Sequence, residues 1–321
     1  MPALYTTKNL EIIQPPTATM EGIGRFTYTD HYTVFFYGRM PDQIPGKGEA
    51  MCRMAAFNFG MLRELGVPTH FRRFIAPNQI EFDLARLPEP GAVAVTAGDV
   101  NYVVPLQVLA RNQLPQGSSV HRRLQAGTLA PSDIGLSAIP TVGERLEHPT
   151  IEFATMLEEP KRFIEAAQAQ QAACLSDDQF QALRETTVAV NEAITSHARD
   201  LRLDHSDGNF EYLVSSDGRI VLADSPGTPD GSRFLFDGVH CGKQVIRNWY
   251  AASGNEPPVQ KWIADGIPRS QWPTPASLPA EFIPVMSDLY TALCQAWTGQ
   301  RIRKAPELAS AVKAVRSLPT H

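Results

Sequence analysis

Residues 210–224, FEYLVSSDGRIVLAD, constrain this chain more than any other stretch. Two runs rich in β-branched and aromatic residues flank Asp217-Gly218, a pair that favours a two-residue hairpin turn of the primed type. With Asp217 and Gly218 as the whole loop, Ser216 pairs with Arg219 and all paired positions sum to 435. Glu211 then faces Asp224 directly, with Cβ atoms about 4.5–5.5 Å apart. Two bare carboxylates at that spacing repel. A hard divalent cation reverses the sign of that effect, and Mg2+ favours one or two carboxylates plus substrate phosphates. This register points to a magnesium–nucleotide site at Glu211 and Asp224. The competing readings are a solvated carboxylate or a different register.

Three further segments carry chemistry. SPGTPDGSR, residues 225–233, joins turn residues to Asp230 and Arg233, and guanidinium binds phosphate or carboxylate bidentately. VPLQVLARNQLPQGSSVHRR, residues 104–123, is a strand-like run that delivers Arg111, then Gly117-Ser118-Ser119 and Arg122-Arg123. Backbone amides, a serine hydroxyl and arginines make a phosphate cradle, and a solvated basic loop is the competing reading. IPGKGEA, residues 44–50, sets Lys47 between glycines before a helix. It lacks the GxxxxGK[ST] spacing of a Walker A loop, so a flexible cap is expected. GxSxG and HExxH are absent, and Asp204-His205-Ser206 are sequence neighbours, which is not how triads are usually assembled. His31, His70, His197 and His240 are expected to be structural or surface residues.

Periodicity places strands at 3–13, 24–37, 79–87 and 101–110, with turn signals at Pro15-Pro16 and Gly22 to Gly24. Met51, Met54, Ala55, Leu62 and Leu65 mark a helix from Glu49 to Leu65, stopped by Gly66 and Pro68. A loop-rich stretch covers 113–150. Ser176 and Gln179 form a capping box, after which Phe180, Leu183, Val190 and Ile194 line a helix to about His197. Residues 254–279 read as irregular, and Phe282, Val285, Met286, Leu289, Leu293 and Trp297 mark a last amphipathic helix. Strands first, with a hairpin returning after the middle helices, predict an α+β fold of two lobes around a cleft. The expected division is a mostly β lobe over 1–110 and an α+β lobe over 111–321.

The 321 residues carry a net charge of −5, a poor match to non-specific nucleic-acid binding. No apolar run is long enough to span a membrane, and the start has no signal-peptide pattern. The four cysteines, Cys52, Cys174, Cys241 and Cys294, are far apart. A reduced, cytoplasmic protein is the expectation.

Taken in order, LYTTK, MPDQIPGKGEA, LGVPTHF, VPLQVLARNQLPQGSS, DGNFEY, LADSPGTPDGSR and KQVIRNWY resemble the SAICAR synthetase family, phosphoribosylaminoimidazole-succinocarboxamide synthase. The resemblance implies an ATP-grasp-like fold with antiparallel sheets and a nucleotide cleft between the lobes. It implies ATP-driven amide formation, through an acyl phosphate, between the carboxylate of carboxyaminoimidazole ribotide and the amine of aspartate. It places Lys8 at the ATP phosphates, and Glu211 and Asp224 at the Mg-nucleotide site. Arg111, Ser118 and Arg233 are implied at the ribotide phosphate, and Asp207 and Asp230 near the substrates. Lys243 and Arg247 match a basic pair of less defined role.

This chain also departs from the family pattern. Asn209 stands where a lysine is usual, Gln107 where a glutamate is, and Ser225 where an acid follows the LAD aspartate. His148 takes the place of the aspartate in a DP dipeptide, and Thr7, Leu10 and Phe36 replace a glycine, a lysine and an aspartate. His148 is a candidate base, because an imidazole titrates near neutrality. Several departures remove charge beside the reaction centre. Two other functions therefore stand beside SAICAR synthesis: a divergent amide ligase of a specialised nucleoside pathway, and a nucleotide-binding protein without catalysis. The expected partners are small molecules, a phosphoribosyl-type carboxylate and an amino acid, and a homo-oligomer is compatible with the sequence.

Overall fold

The computed structural model describes residues 7–88, 95–115, 118–158, 161–302 and 305–319. Strands β1 (Lys8–Gln14) and β2 (Gly22–Tyr28) form a hairpin, followed by helix α1 (Lys47–Glu64), β3 (Phe71–Ile75) and β4 (Gln79–Leu84). Next come β5 (Tyr102–Val103), β6 (Leu106–Gln113), α2 (Ser119–Gln125), β7 (Arg145–Thr155) and β8 (Phe163–Ile164). Helices α3 (Ala166–Ala172) and α4 (Asp177–Asp200) lead to β9 (Asp204–Val214), β10 (Ile220–Ala223), β11 (Ser232–Phe236) and β12 (Val239–His240). Helices α5 (Gln244–Ala252), α6 (Val259–Ala264), α7 (Phe282–Thr298) and α8 (Leu308–Arg316) complete the chain.

The architecture is α+β. A four-stranded sheet runs β1-β2-β4-β3, and an eight-stranded sheet runs β12-β11-β9-β6-β7-β8, with β5 and β10 also paired to β9. The named strands all pair antiparallel. The chain between β3 and α1 joins the sheets: Leu222 N donates to Pro68 O at 2.9 Å, and His70 N donates to Leu222 O at 3.0 Å. Residue 110 falls inside β6, so a lobe boundary there would cut a central strand of the larger sheet. At the level of sheets the change falls between Leu84 and Tyr102.

Alternation gives the larger sheet two chemically distinct faces. Leu106, Val108 and Ala110 of β6, with Phe210, Tyr212 and Val214 of β9, are buried in the core. Leu183, Val190 and Ile194 of α4 join that core, and the Tyr212 and Thr187 hydroxyls meet at 2.8 Å. The opposite face carries Gln107, Leu109 and Arg111 of β6, and Asp207, Asn209, Glu211 and Leu213 of β9. That second face is the one that holds chemistry.

The Ser176–Gln179 capping box forms as expected, with Gln179 N donating to Ser176 Oγ at 3.2 Å and Ser176 N to Gln179 Oε1 at 3.0 Å. Other expectations change. The strand expected over 24–37 ends at Tyr28, and Gly22 to Gly24 lie inside β2 rather than in a turn. The loop-rich stretch contains α2 and most of β7, and α8 follows the helix expected to be last. Residues 3–6 of the first expected strand lie outside the described residues.

The hairpin register also differs. Ile220 pairs with Val214 and Ala223 with Glu211, so paired positions sum to 434 and Glu211 does not face Asp224. Ser215 N donates to Arg219 O at 2.9 Å, leaving a three-residue loop, Ser216-Asp217-Gly218. Gly218 closes it at φ 82°, the left-handed position that such loops require.

Candidate functional site

The functional face reads as four zones along β9. At the hairpin end, Leu213, Val221, Ala223 and Ala85 form a small apolar cluster, with Val103 against it. This cluster is separate from the main core.

The second zone is acidic. Burial pushes the Glu211 carboxyl up to about 7, and the nearby Asp224 carboxylate adds to the rise. Lys161, Lys8 and a hydrogen bond from Gln107 oppose it. Asp224 reaches Glu211 by leaving the strand, since its backbone turns left-handed at φ 63°. Lys8 on β1 forms an ion pair with Asp224 and donates to Ser225 Oγ at 3.1 Å. Tyr28 OH lies 2.7 Å from the same Ser225 oxygen. The smaller sheet thus delivers a buried lysine onto the acids of the larger one. The donor set, two carboxylates of hard oxygen, fits Mg2+.

The third zone is Asn209, two residues from Glu211 and two from Asp207 on the same face. Its backbone N–H donates to Gly231 O at 2.9 Å.

The fourth zone is a rung of four strands. Thr150 on β7 lies opposite Arg111 on β6, Arg111 opposite Asp207 on β9, and Asp207 opposite Arg233 on β11. Arg111 is 1% exposed. It is engaged by Glu152, by Asp207 at 3.2 Å and by Ser119 Oγ at 3.3 Å. Arg233 donates to Asp207 at 3.0 Å and 2.9 Å, while its Nη1 is buried without a partner. Arg233 therefore has donor capacity left for a ligand, whereas Arg111 serves to hold Asp207.

Beside this rung lies Asp230, on the loop that follows β10. Two contacts shape the loop: Asn58 Nδ2 donates to Pro226 O at 2.8 Å, and Thr228 Oγ1 donates to Ser225 O at 3.0 Å. At Gly227 (φ 67°), a Cβ would come within 2.4 Å of Ile194 Cδ1. Lys47 Nζ lies 2.6 Å from Asp230, and Tyr290 OH donates to Asp230 at 2.8 Å. Burial presses the Lys243 ammonium down to about 7, and the positive charge of Arg247, Lys47 and Arg233 presses the same way. Burial also lowers Arg247, with Arg233 next, and Arg247 Nε is buried without a partner. Lys47, Lys243, Arg233, Arg247 and Arg111 thus outnumber Asp207, Asp230 and Glu152. That surplus of buried and half-buried positive charge suits anions.

The structure gathers Lys8, Glu211 and Asp224 in one group, and Arg111, Asp207, Arg233, Asp230, Lys243 and Arg247 in another. It does not gather His148, whose side chain is 88% exposed and whose neighbour is Glu147 at 4.0 Å. That exposure leaves the role expected of His148 as a base without support from a neighbouring site residue. Ser118 is buried and caps α2, accepting from Val120 N at 3.3 Å, and the neighbouring Ser119 is the serine that meets Arg111. Gly117 of the expected cradle lies outside the described residues. Lys47, expected to be a flexible cap, is buried and paired. Its signal was a cation in the first turn of a helix, where the dipole disfavours positive charge. Glu152, on β7 just beyond the stretch read as loop-rich, was not singled out in the sequence.

An α+β fold with antiparallel sheets, a lysine paired with one of two neighbouring carboxylates and a cationic pocket are features that a nucleotide-dependent ligase would use. A statistical description of the SAICAR synthetase family matches residues 18–260, and the chain belongs to that family. A relative from Archaeoglobus fulgidus, provisionally named phosphoribosylaminoimidazole-succinocarboxamide synthase, is 34% identical over 98% of this chain and 99% of its own. The Thermoplasma acidophilum protein of that name is 29% identical over 82% of this chain and 88% of its own. Among solved structures, a SAICAR synthetase in complex with ADP superposes with a TM-score of 0.65 at 19% identity, over 93% of this chain and 97% of its own. The Saccharomyces cerevisiae SAICAR synthase complexed with SAICAR gives 0.65 at 17% identity, over 91% and 96%. These two structures share the fold. No helix among the described residues is long and apolar enough to cross a membrane.

Proposed function

We propose that this protein is an ATP-dependent carbon–nitrogen ligase that joins the carboxylate of carboxyaminoimidazole ribotide to the amine of aspartate, in purine biosynthesis, through an acyl phosphate. One observation carries the reading: apolar patch, carboxylate pair, amide and cationic pocket follow one another along a single sheet face. The apolar cluster at Leu213 and Val221 suits a nucleotide base, and Lys8 with Glu211 and Asp224 suits its phosphates. Arg233, Lys243 and Arg247 suit the phosphate and carboxylates of the other substrates.

In the first step a substrate carboxylate oxygen attacks the γ-phosphorus of ATP. The bond from phosphorus to the β–γ bridging oxygen breaks, and ADP leaves. In the second step the amine nitrogen attacks the acyl carbon, inorganic phosphate leaves, and the nitrogen gives up a proton. Lys8 places a positive charge where charge builds on the transferring group. Glu211 and Asp224 would hold Mg2+, which when bound neutralises phosphate charge. Arg233, fixed by Asp207, orients the anionic end of the substrate so that its carboxylate faces the γ-phosphate.

The test is ADP release. Release that requires both carboxyaminoimidazole ribotide and aspartate supports the proposal. Release only with another carboxylate or amine supports a divergent ligase, and tight Mg-ATP binding with no turnover across a broad panel supports a non-catalytic protein.

A further inference from the structure

We infer that Asn209 is a specificity-determining residue, whose side-chain oxygen accepts a hydrogen bond from an amino group that the substrate carries next to its reacting carboxylate. The inference rests on the ligase reading above and adds what the substrate must present. Three observations support it.

The first is position. Asn209 lies on the same face as Glu211 and Asp207, about 7 Å along the strand from each. A substrate whose carboxylate faces the γ-phosphate at the Glu211–Asp224 end and whose anionic end meets Arg233 must pass over Asn209. The group lying there is the one beside the carboxylate.

The second is hydrogen-bond capacity. Asn209 Oδ1 is buried and has no partner among the described residues. Apolar Leu109 lies directly opposite on β6, and Glu152 beyond it is itself an acceptor held by Arg111 and Arg123. Gln107 is engaged with Glu211. A buried acceptor with no partner is costly, and a ligand donor relieves it.

The third is polarity. An amide oxygen accepts, whereas the lysine usual at this position has three donors and no acceptor. The substitution therefore adds an acceptor to what the site reads, while the amide nitrogen keeps a donor.

The experiment compares carboxyaminoimidazole ribotide with an analogue whose ring amino group is replaced by hydrogen. Wild type should prefer the amino compound in kcat/KM by about tenfold or more. Asn209→Leu and Asn209→Ala should both erase that preference, leaving the KM for ATP within about twofold. Survival of the preference in a folded, active Asn209→Ala variant overturns the inference, as does an effect confined to ATP. Wild type that releases no ADP with either compound in the presence of aspartate overturns the proposed reaction of carboxyaminoimidazole ribotide with aspartate instead.

Discussion

Lys47 Nζ and Asp230 lie 2.6 Å apart in a pair whose lysine is 1% exposed, pinning the first turn of α1 to the loop after β10. Burial alone would raise the Asp230 carboxyl; Lys47, Lys243 and the Tyr290 hydroxyl more than offset it and leave it below its ordinary value. Removing one partner of such a pair strands the other charge. Lys47→Met should therefore cost about 3–5 kcal/mol, read from urea denaturation at constant m-value. A loss under about 1 kcal/mol would show that Asp230 finds other partners or water.

The carboxylate pair gives the opposite balance of stability and activity. Glu211 is costly to ionise where it sits, because burial and Asp224 both disfavour its charge. Glu211→Gln keeps the shape and removes that cost, so the melting temperature at pH 8 should hold or rise. Magnesium-dependent ADP release should fall by a hundredfold or more, on the order of a lost electrostatic contact to the transition state. Asp224→Asn should lose turnover as well and also release Lys8 from its ion pair. Turnover within a few-fold of wild type in either variant would remove these two residues from the metal site.

The hairpin shows how far a local rule reaches. Asp217-Gly218 correctly marks a reversal, but the loop takes a third residue. Ser215 Oγ accepts from Arg219 N at 3.1 Å, and Glu21, from the β1–β2 turn, accepts from Ser216 N at 2.7 Å. A contact 195 positions away in sequence is invisible to a turn rule, and it helps hold the loop that shifts the register by one. Glu211 and Asp224 still interact, through the left-handed turn at Asp224 rather than through pairing. The helix behind Ser176 was legible because its capping box and apolar stripe are both local. Arg111 was visible as a charge on a strand. Its capture by Glu152 and Asp207 was not, because the partners come from two other strands.

Arg233 and His148 make a paired test of which charged residues meet substrate. Arg233 keeps an unpartnered buried nitrogen, while the His148 ring is 88% exposed. Arg233→Ala should raise the KM of the ribotide substrate at least about tenfold, the loss of a charge-assisted contact, with little change in the KM of ATP. His148→Ala should leave kcat and both KM values within about twofold at all pH values. An ATP-only effect of Arg233→Ala would misplace the anion pocket, and a bell-shaped profile flattened by His148→Ala would restore the histidine as a base.

The same pocket should make substrate binding depend on pH through Lys243. Burial lowers its ammonium to about 7, Arg247, Lys47 and Arg233 add to the drop, and Asp230 opposes it. A bound anion favours the protonated form, so binding above pH 7 takes up a proton. The KM of the anionic substrate should be lowest below about pH 7 and climb by up to about tenfold per unit above it. Stability runs the other way. The folded value lies below the unfolded one, so Lys243's contribution is full only above the unfolded value near 10.5. It is lost as pH falls toward 7. Lys243→Met should flatten both profiles, leaving a KM that is higher at pH 6.5 and nearly independent of pH. A variant whose KM still rises in parallel with wild type would show that another group in the pocket carries the proton.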